Sequence, residues 1–176
     1  MGSVDYAHFA PECKSWGTLS RLNHGSRTKG RPWGDEELLS EQKGNKQMRG
    51  VLKMITALNQ VGAKWSIEHP YFSYAWWLEE VKLIAEDNYF VCVDQCMYGQ
   101  SLPESSARVR KRTKILTNCK ELGQLACERD HSHKHEHAFG SVKINNQSYK
   151  ASKLVAAYPD ELCAKWASCV AACLCC

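Results

Sequence analysis

No apolar run in this sequence approaches the roughly 20 residues that a helix needs to cross a bilayer, so no membrane span is expected. The segment after Met1 has none of the character of a secretory signal, and no internal repeat is visible. Charge of one sign is also lacking. The 23 Lys and Arg against 19 Asp and Glu leave +4, too little by itself to argue for nucleic acid, so a basic partner site has to be found locally. One basic cluster exists, at residues 108–114. The ten cysteines lack the regular spacing of a disulfide framework. A reducing, intracellular setting, nucleus or cytoplasm, is therefore expected.

What is present is an ordinary globular composition, 44% hydrophobic and 24% charged, with six Trp and seven Tyr to bury. The length suits one domain over residues 1–176. Within it we read a core over 4–118, a Cys/His-rich segment over 119–140 and a C-terminal helical part over 148–176. Residues 4–10 read as a strand, followed by a long polar connection over 11–33 and a short helix over 35–42. Met48, Val51, Leu52, Ile55 and Leu58 recur at helical spacing and predict an amphipathic helix over 46–61, stopped by Gly62. A strand over 64–68, a helix over 73–85 and a strand over 89–94 follow. Helix then strand, twice over, is the α/β signature. A fourth strand is expected over 113–117. No helix separates it from the third, so these two should pair antiparallel. Asn118 is a candidate N-cap for a short helix through 125, and a last helix begins at Pro159.

Three loops then follow strands in order. They carry Pro11-Glu12-Cys13, then Ile67-Glu68-His69-Pro70, then Tyr98-Gly99 with Arg108-Val109-Arg110-Lys111-Arg112. This order resembles the cytosine-5 methyltransferases, in which a Pro-Cys loop, a Glu-Asn-Val loop and a Gln-x-Arg-x-Arg loop follow successive strands of a Rossmann-like sheet. The resemblance covers residues 4–118. It implies a truncated Rossmann-like three-layer fold, mostly parallel with one antiparallel strand pair and helices on both faces. It also implies catalytic roles: Cys13 as nucleophile, Glu68 as the carboxylate on the base, Arg110 and Arg112 as the arginine pair. Lys14 and Arg108 stand where the family has glutamines, and with Lys111 and Lys114 they are candidate phosphate contacts. The reaction implied is transfer of a methyl group from S-adenosylmethionine to cytosine in DNA or RNA.

The chemistry explains the residue types. A thiolate adding to cytosine C6 makes C5 nucleophilic, which divides one hard step into two. That addition calls for a lowered thiol pKa. A carboxyl group that holds a proton at N3 assists it. The family's Phe-x-Gly-x-Gly cofactor turn does not precede the first strand here, so the cofactor-binding half is expected in another part of a longer polypeptide. An alternative reading is a non-catalytic, zinc-stabilised nucleic-acid-binding module derived from such a domain.

Zinc enters through Cys127-x3-His131-x-His133-x-His135-x-His137, whose spacing matches no standard finger. In an extended segment alternate histidines share one face. Cys127, His135 and His137 form the expected set, with Cys119 or Cys96 as fourth ligand; an exposed polar loop is the competing reading.

Overall fold

The computed structural model describes residues 4–126 and 131–175. Its main sheet has strand order β1-β2-β5-β3, formed by β1 (Tyr6–Phe9), β2 (Lys64–Pro70), β3 (Tyr89–Asp94) and β5 (Arg112–Thr117). Strand β4 (Arg108–Val109) lies outside it and pairs in parallel with β6 (His135–Glu136). The fold is mixed α/β. β1 and β2 are parallel, while β5 runs antiparallel to both β2 and β3. The expected antiparallel pairing of the third and fourth strands is present. A single antiparallel pair is not what forms, however, because β5 inserts between β2 and β3 instead of adding at an edge.

Side chains alternate across this sheet. Trp65, Ile67 and Leu116 join one apolar cluster with Met48, Val51 and Ile55 of helix α1 (Leu39–Gln60) and Val81 of helix α2 (Glu79–Glu86). Val91, Val93 and Ile115 join a second cluster with Leu122, Leu162, Trp166 and Cys169, the last three from helix α4 (Asp160–Leu174). Only β5 feeds both clusters, Leu116 to the first and Ile115 to the second, while β2 supplies the first and β3 the second.

Helix α1 is continuous where two helices were expected. Gly44 sits at the junction, and there the missing side chain is what the packing needs: a Cβ would lie 2.5 Å from Ser15 Oγ and 2.9 Å from Trp16 Nε1. The expected helix over 73–85 is instead a 3-10 turn, Tyr74–Trp77, followed by α2. Ser73 Oγ accepts from Ala75 N at 3.0 Å, and Leu78, fully buried, is extended between the two pieces. β2 also runs on through Pro70, since proline at a strand end removes no needed donor.

The long connection after β1 is fastened from inside by Arg27. Its guanidinium stacks 3.5 Å over the Trp16 ring and donates to Ser15 O (3.0 Å), Pro32 O (2.7 Å) and Asn45 Oδ1 (2.9 Å). Glu41 receives Ser26 N (2.8 Å) and Asp35 N (2.6 Å). A fully buried arginine is tolerable only with such a set of partners.

The C-terminal part begins with a hairpin rather than helix. β7 (Ser141–Ile144) and β8 (Gln147–Lys150) are joined through Asn145 and Asn146, both at positive φ, as a tight two-residue turn requires. Helix α3 (Ala151–Leu154) follows, then α4. No helix among the described residues is long and apolar enough to cross a membrane.

Candidate functional site

Parallel pairing of Phe9 with Ile67 makes the chain leave β1 and β2 at the same sheet edge. Glu68 follows Ile67 directly, and Cys13 lies just beyond β1 on the fastened loop. There the Trp16 amide donates to Cys13 O at 3.0 Å and the Tyr74 amide to Trp16 O at 2.8 Å. Cys13 is exposed and unpaired with other cysteines. Glu68 Oε1 accepts the Thr113 hydroxyl at 3.0 Å, and Thr113 in turn accepts Gln95 Nε2 at 3.0 Å. Tyr158, ahead of α4, lies close enough to Glu68 to bear on its charge, with its hydroxyl 3.4 Å from His8 Nε2.

The electrostatics tie these groups together. Burial raises the Glu68 carboxyl above its usual range, against the Thr113 bond and the Lys111 charge, which hold it down. Desolvation and the negative charge of Glu68 push the Cys13 thiol up, and Lys111 opposes this. Burial lowers Lys111, while Glu68 and Cys13 favour its charge. Cys13, Glu68 and Lys111 are therefore electrostatically coupled to one another. The thiol is not depressed in the free chain, contrary to what nucleophilic addition calls for. A proton on Glu68 would remove its part of the upward push on the thiol, leaving the larger part that comes from burial.

The arginines lie elsewhere. Residues 112 and 113 point to opposite sides of β5, so Thr113 reaches Glu68 while Arg112 turns to Asp94. Arg110 Nη2 lies 3.3 Å from Asp94 Oδ2 and Arg112 Nε 3.3 Å from Asp94 Oδ1. Arg112 also stacks 4.2 Å over Tyr71. The cation beside the thiol and carboxylate is Lys111, which the sequence placed on phosphate. Arg108 donates to Cys96 O at 2.8 Å. Lys14 lines a cleft of about 430 Å³ with Glu12 and Ser15, over the N-terminal part of α1.

Lys114 lies over the rings of Tyr71, Phe90 and Trp76, at 4.9, 5.0 and 5.7 Å. It opens onto a groove of about 600 Å³ whose walls include Phe72, Trp77, Lys29 and Lys82. Lys29 and Lys82 both sit over Trp77. Aromatic faces interleaved with cations are what a single-stranded nucleic acid stacks and tracks on.

Among the described residues, two clusters could hold a metal ion. Cys96, His131, His133 and His135 bring one ligand atom each to within 4.8 Å of all the others, as do Cys119, Glu121 and Cys173. The expected ligand set is redrawn accordingly. His135 belongs to the first cluster, but His137 does not: its ring stacks on Phe139 at 5.4 Å. A bend at His133 ends the simple alternation on which His137 was chosen. Cys119 lies in the other cluster, and Cys127 lies outside the described residues.

Sequence reasoning missed Asp94, Thr113 and Tyr158. Asp94 and Thr113 look like ordinary strand residues until β5 is known to lie between β2 and β3. Tyr158 meets Glu68 only through the return of the C-terminal segment. Compared with known proteins, the chain matches no family model, no curated protein and no solved structure.

Proposed function

We propose that the chain is the base-activating portion of a cytosine-5 methyltransferase-like enzyme with a Rossmann-like, three-layer core. The observation that carries this is the juxtaposition of Cys13, Glu68 and Lys111 at the edge where two parallel strands end. In this reading the Cys13 thiolate bonds to C6 of a cytosine. The C5–C6 π pair moves to C4–C5, and the C4–N3 π pair takes a proton from Glu68 at N3. Lys111 offsets the negative charge of the thiolate. The carbon C5 is then an enamine carbon, open to an electrophile. Return of the N3 proton to Glu68 expels the thiolate and restores the ring.

S-adenosylmethionine would supply the methyl group in a complete enzyme. The residues gathered at this site act on the base, and none of them is assigned to the cofactor. The base must be unstacked to reach Cys13, and the aromatic and cationic groove supports a single strand or an extruded nucleotide as substrate.

The test needs no cofactor, since the enamine takes up solvent hydrogen at C5. In deuterated water, cytosine-containing oligonucleotides should exchange their C5 hydrogen in the presence of the chain. Cys13→Ala should abolish exchange, and Glu68→Gln should slow it by about 10²-fold or more, as loss of a general acid does. Equal exchange by the wild type and Cys13→Ala would refute the reading. A second reading, a binding module without catalysis, is favoured by one observation, the engagement of Arg110 and Arg112 with Asp94. It predicts salt-dependent oligonucleotide binding with no exchange at all.

A further inference from the structure

We propose that Cys96, His131, His133 and His135 form a tetrahedral zinc site that fixes the arginine-bearing loop to the sheet. The distances carry this. Zinc bonds of about 2.0–2.1 Å to nitrogen and about 2.3 Å to sulfur imply tetrahedral edges of about 3.3 Å between nitrogens and about 3.6 Å from nitrogen to sulfur. Here His133 Nε2 and His135 Nε2 are 3.1 Å apart, His135 Nε2 lies 3.4 Å from Cys96 Sγ, and His131 Nδ1 lies 3.6 Å from it. Three edges of the tetrahedron are already at ligand spacing.

The surroundings supply a second, independent sign. His131 faces Cys96 with Nδ1 and places Nε2 3.1 Å from Asp94 Oδ2, a carboxylate only 5% exposed. A ligating imidazole that gives its other ring N–H to a buried carboxylate is the usual outer support of a metal-bound histidine. One thiolate and three imidazoles are a donor set that suits zinc, and four protein ligands make a closed, structural site. On binding, the Cys96 thiol gives up its proton to solvent and its sulfur lone pair goes to the metal.

The location gives the site its task. Cys96 lies just past β3 and the histidines just before and on β6, while β6 pairs with β4 at Arg108 and Val109. Asp94 joins His131 to Arg110 and Arg112. The metal therefore locks β4, and with it the loop that carries Lys111 to Cys13 and Glu68. This inference stands on the cluster alone and does not depend on the proposed reaction.

Elemental analysis of the untagged full chain should give about one zinc, and cobalt substitution should give a thiolate-to-metal charge-transfer band. Cys96→Ser should abolish that band. Because Cys96 is fully buried, His133→Ala provides the second variant: zinc affinity should drop at least tenfold, as loss of one ligand demands, while His137→Ala binds as the wild type. Chelation should deprotect the amides of Arg108 and Val109 in hydrogen exchange, which bond to Lys134 O and Gln100 O, and leave β2 and β5 protected. Full zinc content in both Cys96→Ser and His133→Ala, or unchanged Arg108 and Val109 protection after chelation, would overturn the proposal.

Discussion

His69 is a titratable side chain held wholly out of water. It is fully buried, its ring nitrogens have no hydrogen-bond partner, and it is edged by Trp16 and Trp76. Burial and the Arg27 charge push its pKa down to about 3, so the ring is neutral in the fold. The unfolded chain binds that proton near pH 6.5, and the folded chain does not. The stabilisation from a neutral His69 is thus complete above pH 6.5 and is lost as pH falls from 6.5 towards 3. Between pH 7 and pH 4.5 the wild type should lose about 2–3 kcal/mol more than His69→Leu does, measured by urea unfolding at both pH values. Equal losses would mean that His69 is not held neutral. In sequence this residue is only the histidine of Glu-His-Pro, and nothing local foretells its burial between two tryptophans.

At the scale of elements, α1 makes a paired prediction. Gly44 and Gly50 both lie inside it, and on helix propensity alone alanine at either should add about 1 kcal/mol. Gly50 has nothing within 4 Å of a built Cβ, so Gly50→Ala should gain that amount. Gly44→Ala drives a methyl into Ser15 and Trp16, where overpacking costs about 1–3 kcal/mol and outweighs the gain. Thermal unfolding of the two variants should move in opposite directions, and the same sign in both would break the account of how α1 supports the Cys13 loop. This element also shows how far sequence reasoning reaches. The spacing of Met48, Val51 and Ile55 marks the helix and its buried face, and β3 falls on the residues its apolar run foretold. The fusion across Gly44 was not legible. Glycine reads as a break unless a neighbour 29 residues back is known to occupy its missing side chain's place, and Ser15 is that neighbour.

For the whole molecule, the strands of the main sheet were legible and their order was not, and the short strands β4, β6, β7 and β8 were not foreseen. Local patterning says that 64–68, 89–94 and 113–117 are strands, but only long-range pairing inserts β5 between β2 and β3. That insertion aims Thr113 at Glu68 and Arg112 at Asp94, and it explains why the arginine motif did not map onto the thiol and carboxylate. It also sets Lys114 over Tyr71, Trp76 and Phe90. If Lys29, Lys82 and Lys114 face phosphates there, replacing all three by Ala should flatten log affinity for a single-stranded oligonucleotide against log salt by about 0.7 per lost contact, roughly 2 in total. Fluorescence anisotropy over a salt series measures this, and an unchanged slope would move the strand off the groove.

In the proposed reaction Cys13 adds to a nucleobase held by Glu68. Its most direct test is intact mass and peptide mapping after incubation with an oligonucleotide in which one cytosine is replaced by 5-azacytosine, whose ring accepts a thiolate at C6. A covalent adduct is expected on the peptide carrying Cys13, absent in Cys13→Ser and reduced in Glu68→Gln. An adduct on another cysteine, or none while the oligonucleotide is bound, would contradict it.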